Sequence, residues 1–521
     1  MSRSDSPRAP DSPGDHVTAR KIPWIILFCC LLGGVRVLVY SAAFPFFSNI
    51  DEQEHVDLII RYATGNPPRG VEPICQEAAE LIALYGTLEY LSAPEGLPWG
   101  QIPPPVWRLP EDLRREIVAS EIARLSRQMN HESFQPPLYY ALAGGWYRIG
   151  KLLGIESGSL LYWLRWPNAV AYALMIWLSG RIATRLLGEG HFAATAVPFL
   201  LAVLPQDVFY LVNNDVLAAM MATLAYSLLL RWHLSPVPGP WLTASAGLCA
   251  AGAFLAKVSN APVLLVLTLA AVAGLFREEE GRKRAGRVVV MLLLAIAPVA
   301  GWMARNYFLT GDFTGAAERN RMMGMTPLSI VESLRHPLFS PAGAAGFWAE
   351  LTRTFWRGEI VWLGQRMATR AGDILFVAST AVFLLAFVAR CARREPFLVV
   401  ICLGIYLLHV GLLAAFSVSF DFGQGVYPSR EWPFFSSGRL IFGAAVPLLL
   451  MFVLGMDWLL ATLRLQGLRW TLLIAFALAI TLSEALLAVD AFQSQFNWFH
   501  LGAEQGIDAT LPTGTTVSPA A

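Results

Sequence analysis

Apolar residues fall along this chain in long unbroken blocks, separated by short polar stretches. This is the pattern of helices that cross a bilayer rather than of helices with one wet face. Scanned with a window of roughly 20 residues, the blocks lie at 24–43, 161–178, 192–210, 216–230, 241–255, 262–276, 288–303, 374–388, 397–416, 440–460 and 471–489. The expected fold is all-α, a polytopic transmembrane helix bundle of about 11 spans, with external loops carrying interfacial helices. A further apolar segment, 136–153, is settled by charge. Arg181 and Arg185, Arg231, the run from Arg277 to Arg287, Arg390, Arg393 and Arg394, and Arg464 and Arg469 all face one side only if that segment does not cross. It is read as a helix in the outer interface, with Tyr139, Tyr140, Trp146 and Tyr147 at headgroup depth and Lys151 snorkelling.

That topology gives a disordered cytoplasmic tail (1–21), a transmembrane module (22–304) that includes an external loop (44–160), and a second external loop with interfacial helices (305–373). The last membrane helices (374–492) and an external tail (493–521) follow. The first apolar block has no small-residue cleavage site and is read as a retained span. The expected location is a bacterial cytoplasmic membrane, with the N-terminus inside and the active site and C-terminus outside. Composition agrees: 55% of the 521 residues are hydrophobic and 15% charged, and a net charge of +1 leaves no field to draw nucleic acid. Six cysteines, at 29, 30, 75, 249, 391 and 402, show no CxxC spacing, which argues against a thiolate metal site or a disulfide framework.

The external loops hold the chemistry. The first opens Asn49-Ile-Asp51-Glu52-Gln-Glu54-His55-Val-Asp57, an acidic run too close to lipid to be idle. Asp51 is expected to cap a helix with Glu54 three residues on, a capping box, and Asp51, Glu54 and His55 share a helical face that would suit a metal. Later in the loop stands His131-Glu132-Ser-Phe-Gln135-Pro136-Pro137-Leu-Tyr139-Tyr140, whose prolines fix a helix entry. Lys257, Arg305 and Arg439 come to a similar outer depth and are expected to converge as a phosphate clamp. Arg36, well inside the first span, pairs structurally with Glu484 on one reading and marks a functional site on another. Phe347, Trp348, Phe355, Trp356 and Trp362, interleaved with Arg353, Arg357 and Arg366, read as interfacial helices over the site.

Taken in order, these motifs resemble the GT-C glycosyltransferases, especially the protein O-mannosyltransferase and aminoarabinose-transferase branch and related bacterial membrane proteins. The resemblance is carried by the Asp51-Glu52 pair after the first span, Pro136-Pro137-Leu-Tyr139-Tyr140, and Asn213-Asn214-Asp215. Trp302-Met-Ala-Arg305-Asn306-Tyr307 with Thr310-Gly-Asp312 belongs to it, as does Ser436-Ser437-Gly438-Arg439, where Leu440 replaces the usual aromatic. It implies a sugar carried on polyprenyl phosphate and passed with inversion to a glycan, lipid or protein acceptor at the outer face, among membrane lipids and without nucleic acid. It further implies Asp51 as catalytic base with Glu52 beside it, Lys257, Arg305 and Arg439 on the donor phosphate, and Gln135, Tyr139, Asn214, Asp215 and His55 against substrate. A divalent metal ion is optional in such enzymes, with Asp51 and Asp215 as its ligands here. Two other classes compete, a lipid-linked sugar flippase or transporter and a polysaccharide polymerase or ligase. The first needs polar residues at mid-membrane and fits the missing internal repeat poorly; the second usually carries its large loop late in the chain.

Overall fold

The structure is a computed structural model that describes residues 24–47, 51–90, 93–96, 101–276, 281–394, 396–423, 425 and 427–501. The expected tail at 1–21, Asn49 and residues 502–521 of the expected external tail lie outside the described residues. The chain opens with α1 (Trp24–Ala43), then four helices too short or too polar to span: α2 (Glu52–Thr64), α3 (Gln76–Tyr85), α4 (Glu111–Leu125) and α5 (Leu138–Leu152). A block of six follows, α6 (Ser157–Leu187), α7 (Ala193–Val203), α8 (Asp215–Leu234), α9 (Pro240–Ala256), α10 (Ala261–Leu275) and α11 (Gly281–Thr310). Short α12 (Ala317–Met322) and α13 (Ile330–Leu334) and longer α14 (Pro341–Arg357) separate it from α15 (Arg370–Arg394), α16 (Pro396–Ser419), α17 (Ala445–Thr462), α18 (Arg469–Leu487) and α19 (Val489–Gln493).

Among the described residues nine helices are long and apolar enough to cross a bilayer, and α7 and α9 are apolar but shorter. These eleven coincide with the eleven blocks of the sequence, and α5 falls on the segment expected not to cross. The centre of the bundle is α17, whose residues Ala445 to Met456 are all buried. The short ends also meet as pairs. Arg469 lies over the Phe192 ring and Trp470 stands edge-on to it, while Arg284 lies over Trp232 and His233 stacks on Phe397. The opposite end carries α2 to α5 and α14.

The block at 192–210 departs from a plain span. Helix α7 stops at Val203, because Pro205 bars the helical conformation for the residue before it. Residues 204–214 then leave the α-helix, with one 3-10 turn at Asp207–Phe209, and such broken backbone in a membrane bundle survives only where protein supplies its hydrogen bonds. Asn168 donates to the Leu211 carbonyl at 2.8 Å and Asn213 to that of Val208 at 2.6 Å. Arg36 reaches the Leu204 carbonyl at 2.8 Å while holding Glu484 at 2.8 and 2.9 Å, which makes the pairing read from sequence a fastening for this broken helix.

Helix α14 turns aromatics inward: Phe347, Phe355 and Trp356 are buried, Trp356 against Phe376, Phe452 and Phe476 of α15, α17 and α18. These three belong to the core, whereas partly buried Trp348 donates to the Tyr406 hydroxyl at 2.9 Å.

Candidate active site

The site begins with an unusual backbone. Asp51 sits before the first turn of α2 in the left-handed region, φ 56° and ψ 22°, a conformation that costs a non-glycine residue energy. Its side chain makes no cap hydrogen bond, so the expected capping box does not form. The carboxylate is instead free to meet His131, whose Nε2 lies 3.1 Å from Asp51 Oδ1. The other face of that imidazole looks toward Glu54, with Nδ1 3.7 Å from its carboxylate, and Glu132 lies 3.8 Å from Nε2.

Across from Asp51 stands a second carboxylate. Asp215 opens α8, positioned by the irregular 204–214 segment, and its Oδ1 accepts a 2.6 Å hydrogen bond from Lys257 Nζ at the end of α9. Arg439 bridges the two acids, 3.9 Å from Asp51 and 3.8 Å from Asp215. It is held there by its neighbour: Gly438 lets the strand of backbone lie directly on α14, where a β-carbon would collide with the Phe355 backbone, and its N–H donates to Thr354 Oγ1 at 2.8 Å. Gln135 joins the halves, donating to Glu132 and accepting from Asn214 Nδ2 at 3.3 Å.

Electrostatics sharpen the roles. Burial opposes the charge on Asp51, but the His131 hydrogen bond and the fields of Arg439, His131 and His55 outweigh it and hold the carboxyl well below the usual range. Burial also opposes a charge on His131, yet Asp51, Glu132 and Glu54 push it up to about 9. Glu54 goes the other way: burial, with Asp51 adding its charge, pushes it up to about 7. His55 is pushed down to about 4 by burial. Asp51, His131 and Glu54 thus form a line of an ionised acid, a cationic imidazole and a carboxyl that titrates near neutrality.

Of the residues singled out in the sequence, Asp51, Gln135, Asn214, Asp215, Lys257 and Arg439 come together. His55 and Tyr139 pack behind them. The His55 ring hydrogen-bonds the Tyr140 hydroxyl at 2.7 Å and faces Tyr139 edge-on, so it does not join Asp51 and Glu54 in a metal set. Glu52 is turned the opposite way into the bundle. It pairs with fully buried Arg165 at 2.8 Å and accepts from the Val212 and Phe47 amides, so it anchors the loop instead of facing Asp51. Arg305 does not join the clamp; it donates to the Pro68 carbonyl in a separate cleft lined with Arg61 and Arg69. For a metal, the ligand atoms of Asp51, His131 and Glu132 lie within 4.8 Å of one another, whereas Asp215 Oδ1 is held by Lys257 and its buried Oδ2, 3.8 Å from Arg439, accepts no hydrogen bond among the described residues. Sequence reading left two members of this cluster without a role, His131 and Glu132, and gave Glu54 a capping or metal-binding role in place of its position beside His131. The signal was available for both, since His131-Glu132 stands in the same short motif as Gln135.

No model of a known protein family matches the chain, and no curated protein does. Among solved structures it is similar to the archaeal oligosaccharyltransferase AglB from Archaeoglobus fulgidus, in complex with an inhibitory peptide and a dolichol-phosphate, with 12% identity over 90% of this chain and 56% of that one and a TM-score of 0.41. It is also similar to ArnT from Cupriavidus metallidurans bound to undecaprenyl phosphate, with 16% identity over 84% of this chain and 79% of that one and a TM-score of 0.31. The chain thus spans about half the length of the archaeal protein.

Proposed function

We propose that the chain is a GT-C type glycosyltransferase that moves a sugar from a polyprenyl-phosphate donor to a cell-envelope acceptor at the outer face of the cytoplasmic membrane. The observation that carries this reading is Arg439 standing between Asp51 and Asp215 at one end of a membrane bundle, with Lys257 beside it. Such a site pairs a base for an incoming hydroxyl with cations for a departing phosphate. In the proposed reaction the acceptor oxygen attacks the anomeric carbon opposite the carbon–phosphate oxygen bond, which inverts that centre. That bond breaks, its electron pair leaves with the polyprenyl phosphate, and the acceptor proton passes to Asp51. Arg439 and Lys257 offset the charge on the leaving phosphate.

Donor and base are coupled through Arg439. In the free site its field helps keep Asp51 a weak base; engaged by the donor's phosphodiester anion, it gives up part of that field and Asp51 becomes a better proton acceptor. The donor set of Asp51, His131 and Glu132, one nitrogen and two carboxylate oxygens, fits a divalent cation of the manganese or zinc class. When bound, such an ion would supply further positive charge near the leaving phosphate.

The test is Asp51→Asn in purified protein reconstituted with a polyprenyl-phosphate sugar. Asparagine tolerates the left-handed backbone better than most residues, so the variant should fold. Transfer should fall by roughly 10²–10⁴-fold, the range for loss of a general base, while donor binding persists. Near wild-type transfer would move the base elsewhere. Lipid translocation without any glycosidic bond formed would replace the reading with a flippase.

A further inference from the structure

A cleft of about 770 Å³ lies between the last turn of α2, the loop that follows it and the end of α11, away from the carboxylate cluster. Arg61, Arg69 and Arg305 line it, together with one carboxylate, Glu72. Arg61 is already matched, by Glu72 at 2.5 Å and by buried Asp57 at 3.0 Å. Arg305 is not. Its guanidinium donates to the Pro68 carbonyl at 2.6 Å and the Asn306 amide oxygen at 3.4 Å, both neutral, so its orientation is fixed while its charge meets no carboxylate among the described residues. Arg69 is exposed, and no described carboxylate pairs with its side chain; only its backbone N–H is engaged, by Glu72 at 2.9 Å.

The floor of the cleft is apolar. Phe308 and Leu309, 85% and 44% exposed, line it at the end of a membrane-spanning helix. Below Phe308, on the same side of α11, Ala304, Gly301, Ala297 and Val290 are exposed. A fixed, uncompensated guanidinium at the edge of an exposed apolar helix face is an arrangement that receives a headgroup and its chains together. Arginine adds a planar fork matched to phosphate oxygens.

We propose that this cleft binds the phosphate headgroup of a bilayer lipid, with Arg69 and Arg305 on its oxygens and its chains along the exposed face of α11. It is a second lipid site, independent of the chemistry assigned to Asp51: Arg61 stands ten residues beyond Asp51 along α2, about 15 Å on the helix axis.

Native mass spectrometry of the purified full-length protein, titrated with dioleoyl phosphatidic acid or with dioleoylglycerol, tests it. The wild type should retain the phosphatidic acid and not the diacylglycerol. Arg69→Gln and Arg305→Gln should each weaken retention by about tenfold or more, as loss of a charged hydrogen-bond donor requires. Arg115→Gln, on the exposed α4 surface, should behave as wild type. Equal retention by all three variants would overturn the site, since general positive charge would then account for binding. Full displacement by an equal concentration of inorganic phosphate would overturn the lipid assignment in favour of a free anion. If Arg305→Gln fails to fold, Arg69→Gln alone decides, because its side chain fastens nothing within the described chain.

Discussion

At the scale of single residues, the cluster around His131 makes stability depend on pH in a definite direction. Glu54 goes from an ordinary 4.5 up to about 7 on folding, and His131 from 6.5 up to about 9. Both hold protons more tightly in the folded chain. The stabilisation from His131 is therefore complete below its unfolded value and fades as pH climbs to about 9, and burial of Glu54 becomes unfavourable as pH rises from 4.5 to about 7. His55, pushed down to about 4, opposes Glu54 between pH 4 and 6.5, so the melting temperature in detergent should fall mainly from pH 6.5 to 9, with each group contributing at most about 1.4 kcal/mol per pH unit within its window. In Glu54→Gln with His131→Gln that slope should flatten; an unchanged slope would place the titration elsewhere. The acidic residues here were legible in the sequence because carboxylates beside lipid need a reason. The partnership of Asp51 with His131 was not, since nothing in local spacing announces that Asp51 adopts a left-handed backbone and gives up its cap. Arg305 illustrates the reverse: depth along a helix is readable from sequence, but the direction around the axis is set by packing.

At the scale of elements, what the sequence hides is which charges are structural. Glu52 and Asp51 are adjacent and look alike, yet one faces the site and the other closes a knot. Arg165 donates to Glu52, to the Ser41 and Phe44 carbonyls at 2.9 and 2.6 Å and to the Pro45 carbonyl at 2.9 Å, tying the end of α1 and the start of α2 to α6. Removing one partner of a fully buried, hydrogen-bonded pair costs about 3–5 kcal/mol. Arg165→Met should therefore lower thermal stability by an amount of that order and abolish transfer, whereas Glu52→Gln, which keeps the shape and part of the hydrogen bonding, should lose less. Equal losses in both, read by thermal unfolding in one detergent, would argue that charge alone holds the knot. The break in α7 was likewise missed as a break. A window average scores 192–210 as one span and is blind to a proline that ends the helix, and the polar groups of Asn168, Asn213 and Arg36 that make the break tolerable come from distant positions.

For the whole molecule, the eleven apolar blocks and the segment left out of the count were legible because hydropathy is a property of long stretches and survives local error. Their sidedness is a prediction. In a chain freed of its own cysteines, a cysteine at Ala93 or Ala344 should react with an impermeant thiol reagent from outside, and one at Gly467, in the arginine-flanked turn before α18, should react only after the membrane is opened. The opposite pattern would put Asp51 on the cytoplasmic face and remove the lipid-linked donor chemistry from the outer leaflet. The knot at Glu52 has a consequence for how such a chain is made. Its arginine is encoded 113 residues after its carboxylate; at ribosomal speeds of about 5–20 residues per second, the nascent chain waits roughly 6–23 s with that acid unmatched at the membrane surface. During synthesis the loop bearing Asp51 therefore has no fixed shape until α6 enters the bilayer, and a ribosome stalled between the two would leave a partial chain with that loop open to quality-control proteases.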